Sequence, residues 1–175
     1  MKIGLIGLGR VGQVHLKSLS AIEDVDIVCV CDIDQTVCKQ IIKKFNIPKY
    51  TLSYEDLVSD PQVEAVWVCS PSNLHFTHVT ACLRNNKLVF CEKPLEVDFE
   101  KIKQIIDQYP DINKKLMVGF NRRFDPNFSF IKKNILKIGK PTILKITSRD
   151  PQPPPIDYIK SSGGIFMDMT IHDFD

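Results

Sequence analysis

The stretch GGIFMDMTIHDFD, residues 163–175, sets Asp168 four residues before His172 among apolar side chains. On a helix this spacing places the two side chains on one face, a turn apart. A carboxylate so placed can orient an imidazole and stabilise its protonated form, which suits a histidine that takes a proton from a hydroxyl. A packed histidine on a partly apolar helix is the plain alternative.

A second cluster lies at the other end of the chain. The turn G-L-G-R-V-G carries Gly7, Gly9 and Gly12, after the apolar run KIGLIG and before an amphipathic stretch. Asp32 ends the next apolar run, twenty residues after Gly12. Strand, glycine turn, helix and a downstream acid together make a dinucleotide-binding fingerprint. Gly7 permits the tight turn, Gly9 lets the backbone approach a diphosphate, and Gly12 lets the helix lie close to the strand. The helix start offers unpaired N–H groups and partial positive charge to that diphosphate. Asp32 can accept hydrogen bonds from ribose hydroxyls and would repel a 2′-phosphate, and no Arg or Lys stands at 33–36 to hold one. NAD is therefore expected rather than NADP. The expected cofactor contacts are Gly7, Leu8, Gly9, Arg10, Val11 and Gly12, with Asp32 and Ile33. Glycines in ordinary turns beside a solvated aspartate are the alternative.

These residues need a scaffold, and the hydrophobic pattern supplies one. Apolar runs at 2–7, 25–32, 63–71, 87–94 and 115–120 predict strands. Helical patterns at 10–22, 35–45, 53–60, 75–86 and 98–110 separate them, the third capped by Ser53 and the last by Asp98. Alternation of this kind predicts a doubly wound α/β domain over 1–120, with a parallel sheet covered on both faces. Beyond it, 126–138 reads as a helix, 142–149 as a strand and DPQPPPIDY (150–158) as extended or loop. Residues 121–175 are expected to be part of a second, incomplete α+β domain. CSPSNLH (69–75) and FCEKPL (90–95) follow the third and fourth apolar runs, at the strand ends where open α/β sheets bind ligands.

GLGRVGQVH, CSPSNLH, VFCEKPL, GFNRRFDP and GGIFMDMTIHDFD, in that order along the chain, resemble the Gfo/Idh/MocA oxidoreductases, the glucose–fructose oxidoreductase and inositol dehydrogenase family. The C-terminal stretch looks most like the inositol dehydrogenases within it. The resemblance implies a Rossmann fold and NAD-dependent oxidation of a secondary hydroxyl of a cyclic polyol, myo-inositol first, with a hexose or other sugar as the alternative substrate. It also implies that Lys93 reaches the reacting hydroxyl, where it can donate to the oxygen and stabilise negative charge. His172 is then the general base, and Asp168 its orienter and a substrate ligand. Ser70, Pro71, Asn73 and His75 fall where the family lines the nicotinamide pocket, although His75 could equally cap its helix. Glu92 could pair with Lys93, touch the cofactor ribose or be a solvated strand end. Arg122 and Arg123 reach cofactor or substrate, or serve as structural ion pairs. Asp173 and Asp175 are cofactor-side contacts, caps or solvent-facing groups. Asp150 and Tyr158 flank a Pro-rich loop that could close over a polyol or be ordinary surface. No metal is implied: Asp168, His172 and Asp173 lack the distant ligand such a site needs.

Family members continue past this point into a large, mostly antiparallel sheet, of which 142–149 is the one strand-like stretch present. A shortened dehydrogenase that self-associates into homo-oligomers is expected. A naturally short, non-catalytic NAD-binding or interaction protein, or a site completed by another chain, are the alternatives.

Composition narrows the partners. The 23 Lys and Arg against 21 Asp and Glu give a net charge of +2, too balanced to argue for nucleic acid or an anionic membrane surface. No apolar run approaches the length of a membrane span, and the N-terminus lacks a signal-peptide pattern. Six cysteines lie within apolar or helical patterns with no CxxC spacing, which predicts reduced, buried thiols in a cytoplasmic protein.

Overall fold

The computed structural model describes residues 1–149, 151–154, 156, 159 and 162–175. The chain divides into two compact units, Met1–Val118 and Gly119–Asp175.

The first unit is built on six parallel strands: β1 (Lys2–Ile6), β2 (Asp26–Cys31), β3 (Tyr50–Thr51), β4 (Ala65–Val68), β5 (Leu88–Cys91) and β6 (Leu116–Val118). Their order is β3-β2-β1-β4-β5-β6, so the chain winds outward in one direction from β1 and then in the other. The predicted doubly wound Rossmann sheet is what forms. Helices α1 (Arg10–Leu19) and α2 (Gln35–Phe45) cover one face, and α3 (Tyr54–Ser59), α4 (His75–Arg84) and α5 (Phe99–Gln108) cover the other. Strand side chains alternate between the two layers. Ile3, Leu5 and Val30 pack with Leu16, Cys38 and Ile41, while Ile6, Val66, Val68 and Cys91 pack with Leu57, Val79, Cys82 and Ile105.

Local chemistry sets the helix starts. Asp34 accepts hydrogen bonds from the N–H groups of Thr36 and Val37, Ser53 from Asp56, and Asp98 from Glu100. These are N-caps of the kind short polar side chains provide. A single turn, α6 (Ile112–Lys115), leads into β6.

The second unit begins with a 3₁₀ turn, Asn121–Phe124, and α7 (Pro126–Asn134), whose first turn is capped by Asp125. A further 3₁₀ turn spans Ile135–Ile138. Residues 142–149 were expected to form a strand and do not. A strand exists only as one side of a hydrogen-bonded ladder, and among the described residues nothing pairs with this one. Near the C-terminus Gly163 and Gly164 both take positive φ, 79° and 81°. Helical backbone follows, first as a π turn over Phe166–Thr170 and then as α8 (Ile171–Phe174). Asp150 and Tyr158 lie outside the described residues. Among the described residues no helix is long and apolar enough to cross a membrane.

All six cysteines are free thiols, five of them buried and Cys69 partly so. Burial pushes the Cys29 thiol up to about 11 and the Cys31 and Cys82 thiols up to about 12. A thiolate is the reactive form, so these groups act as small apolar packing units.

Candidate active site

The strand ends of β1, β2, β4 and β5 gather the residues that the sequence singled out in the first unit. Gly7 leaves β1 with φ at +93°, and a Cβ there would sit 2.6 Å from the Cys69 and Ser70 backbone. Only glycine meets both conditions. A Cβ on Gly12 would lie 1.9 Å from the Gly7 carbonyl oxygen, so its absence is what lets α1 start against the turn. Gly9 is different: a Cβ there meets nothing within 4 Å, and the residue opens onto free space at the N-terminus of α1. No side chain caps α1 and its first turn holds no acid. Its leading N–H groups are thus left for an external acceptor, with Arg10 and Val11 exposed beside them.

Asp32 closes this turn from β2. One carboxylate oxygen accepts the Leu8 N–H at 2.7 Å and the other accepts the Asp34 N–H at 3.0 Å. An ionised carboxylate has about four acceptor positions, so half remain for ribose hydroxyls. Leu8 itself turns its side chain into the core, while Ile33 is 92% exposed at the rim. An open diphosphate cradle at an uncapped helix start, flanked by a carboxylate with spare acceptors, fits a dinucleotide with free ribose hydroxyls.

Past β4, Ser70 and Pro71 lead into a 3₁₀ turn, Ser72–Leu74, that carries Asn73 on its exposed side. The Ser70 hydroxyl pairs with His78 Nδ1 at 2.9 Å. Burial lowers the His78 pKa, and the neighbouring His75 adds to that effect. His75 sits buried between two backbone carbonyl oxygens. Only 1% of it is exposed, its Nδ1 lies 2.7 Å from the Pro94 carbonyl oxygen, and its Nε2 lies 2.8 Å from that of Ser70. The ring therefore spans the loops after β4 and β5.

Past β5, Glu92 finds a partner that was not among its expected ones. One oxygen pairs with His15 Nε2 on α1 at 2.7 Å, and the other accepts the Lys93 N–H at 3.2 Å. Burial alone would push the Glu92 carboxyl up. The His15 hydrogen bond and charge, with the Lys93 amide and ammonium, outweigh it and hold the group below its ordinary value. The His15 ring also leans on Phe90, with centroids 5.0 Å apart. His15 and His78 escaped sequence reasoning. For His15 a signal existed, since it sits beside the buried stripe Gly12, Leu16 and Leu19 on α1.

In the second unit Asp168 lies in the π turn and His172 in α8, both half-buried on one continuous stretch of helical backbone. Arg122 is ion-paired with Asp173 and also donates to the Ser148 hydroxyl at 3.2 Å. Arg123 is paired with Asp175, its Nε 2.8 Å from both carboxylate oxygens. The Asp175 hydrogen bond raises the Arg123 pKa, and the same bond lowers that of Asp175. Both arginines thus fasten the Asn121–Phe124 turn to the C-terminal helix.

Residues 1–120 match the model of an oxidoreductase family described as having an NAD-binding Rossmann fold, GFO_IDH_MocA. The chain belongs to this family. The Gfo/Idh/MocA match covers the glycine turn, Asp32, and the loops bearing Ser70 and Lys93. Over the whole chain the protein is 45% identical to myo-inositol 2-dehydrogenase of Thermotoga maritima, covering 53% of that relative. It superposes with a TM-score of 0.93 on the crystal structure of a probable dehydrogenase from Thermotoga maritima, at 44% identity, over 99% of this chain and 53% of that one. A scyllo-inositol dehydrogenase from Lactobacillus casei, solved with NAD(H) and scyllo-inositol bound, matches at TM-score 0.81 and 29% identity, over 99% of this chain and 54% of that one. The chain spans about half the length of the curated relatives it matches. The Gfo/Idh/MocA placement makes residues 1–120 an NAD-binding domain.

Proposed function

We propose that the protein takes part in NAD-dependent oxidation of a secondary hydroxyl of a cyclic polyol, with myo-inositol as substrate and 2-keto-inositol as product. The observation that carries this reading is the 45% identity over the whole chain to a myo-inositol 2-dehydrogenase, with the open Gly9 cradle and Asp32 in support. A hexose is the second substrate class to try. Gly7 to Gly12 with Asp32 and Ile33 hold the adenosine and diphosphate side of NAD, and Ser70, Pro71, Asn73, Glu92 and Arg122 flank the rest. When bound, the nicotinamide supplies the hydride acceptor. Lys93 donates to the substrate oxygen and stabilises its developing negative charge. His172 accepts the hydroxyl proton, and Asp168 orients the imidazole and steadies its charged form. His75 enters through its contacts on the Ser70 and Pro94 backbone rather than by touching the cofactor. The free, unreactive thiols suit a cytoplasmic protein.

The test is NADH formation from myo-inositol, scyllo-inositol and glucose, run with a parallel NADH-binding titration. Expected are binding and turnover with a cyclitol. Binding with no turnover on any cyclitol or hexose leaves a non-catalytic NAD-binding protein as the correct reading. Asp32→Ser should lower the preference for NADH over NADPH by about 10-fold or more, since it removes both the ribose acceptor and the charge that repels a 2′-phosphate. An unchanged ratio would show that Asp32 does not face the ribose.

A further inference from the structure

We infer that Lys93 is held in its working position by two histidines, His15 acting through Glu92 and His75 acting through Pro94. All three of His15, Glu92 and His75 are positioning residues on this view, which rests on the proposed role of Lys93.

The contacts fall on the two residues that flank the lysine. On the amide side, the Glu92 carboxylate is divided: one oxygen takes His15 Nε2 and the other takes the Lys93 N–H. The Glu92 N–H itself donates to the Val68 carbonyl at 3.0 Å, so this side is fixed to β4 as well. On the carbonyl side, Pro94 is buried and its carbonyl oxygen lies 2.7 Å from His75 Nδ1, which donates to it in the tautomer that carries the proton there. The other nitrogen of that ring reaches the Ser70 carbonyl, which makes His75 a post between two loops at the cofactor edge. Lys93 lies between these two fixed points, half-buried.

An apolar residue would fill the His75 site at lower cost, because a buried imidazole must be matched by polar partners. Its partners here lie in the two segments whose separation sets where Lys93 stands relative to the Ser70 loop. His15 sits on α1, whose N-terminus forms the diphosphate cradle, so the Glu92 bridge links cofactor helix and lysine by one side chain. Precision of this kind matters because a misplacement near 1 Å costs on the order of 10²-fold in rate.

The experiment uses the full chain and four variants. His15→Leu and His75→Leu remove the contacts, His15→Gln keeps a donor towards Glu92, and His75→Asn keeps a donor at the Nδ1 position towards Pro94. The primary readout is acylation of Lys93 by a small amine reagent, followed by mass spectrometry and normalised to the exposed Lys114 in the same molecule. It is joined by NADH affinity and, with myo-inositol, by kcat and KM. The Leu variants should alter normalised Lys93 labelling several-fold and lower kcat by about 10- to 100-fold with little change in KM. His15→Gln and His75→Asn should restore both. If a Leu variant fails to fold, His75→Asn is compared with His75→Gln, which reaches towards Ser70 instead; labelling should stay native in the first and change in the second. Unchanged labelling in a folded Leu variant, or identical behaviour of Asn and Gln, overturns the inference. Labelling reads Lys93 whether or not the chain turns over, so a labelling response without turnover in the unmodified protein would sink the dehydrogenase reading and leave the positioning role standing.

Discussion

His172→Ala should lower NADH formation from myo-inositol by about 10²- to 10⁴-fold, the usual worth of a positioned general base, while NADH affinity stays within about threefold, since the residues proposed to hold the nucleotide differ from it. The pH profile carries a second signature. A general base works only when unprotonated, so turnover by the unmodified protein should climb with pH along one titration step and then level. In His172→Ala that step should vanish, leaving a dependence on hydroxide or solvent alone. Asp168→Asn should retain the step at reduced rate, because an amide can still accept from the ring N–H yet cannot offset a positive charge. Rates within a few-fold of the unmodified protein in His172→Ala would remove the histidine from the mechanism.

Gly12→Ala and Gly9→Ala should part company. At Gly12 the new Cβ would stand 1.9 Å from the Gly7 carbonyl oxygen, a backbone atom that cannot rotate away. Helix α1 must then move off the turn, at a cost of about 1–3 kcal/mol or more for overpacking, against which the helix propensity of alanine returns at most about 1 kcal/mol. Nucleotide affinity should fall by on the order of 10²-fold, since the N–H groups that meet the diphosphate shift by about 1 Å. At Gly9 the Cβ enters open space and φ is −65°, a value alanine adopts freely. Thermal stability should therefore hold, and NADH affinity alone should drop because the methyl stands where a diphosphate must approach. Urea unfolding followed through Trp67, the one tryptophan, and NADH titration read the two effects separately. Equal loss of stability in both variants, or full affinity in Gly9→Ala, would refute this division of labour.

What could be read from the residues alone follows the range over which each interaction acts. Runs such as KIGLIG and VDIVCVCD announce strands because burial on both faces leaves an uninterrupted apolar signal, and the glycine turn is a local backbone requirement. β3 stayed hidden because Tyr50–Thr51 is too short to show a period. The stretch 142–149 carries strand-like residues, but pairing decides strands and pairing is not a local property. Partners distant along the chain were the hardest. Glu92 meets His15 across 77 residues, and Arg122 meets Asp173 across 51. In both cases the charged groups were visible, and only the fold could say which of several candidate partners each would take. His75 shows the same limit from another side, since both its nitrogens meet backbone carbonyls that no pattern of side chains encodes.

The six cysteines, silent as catalysts, give the molecule a property of a different kind. All six thiols are reluctant to ionise while the sheet is intact, and the five fully buried ones are spread over β2, α2, α4 and β5. A thiol reagent can therefore meet them readily only in molecules that have opened locally or unfolded. Sulfur chemistry that contributes nothing to turnover thus becomes a clock for breathing of the nucleotide-binding sheet, with a separate hand in each of its layers.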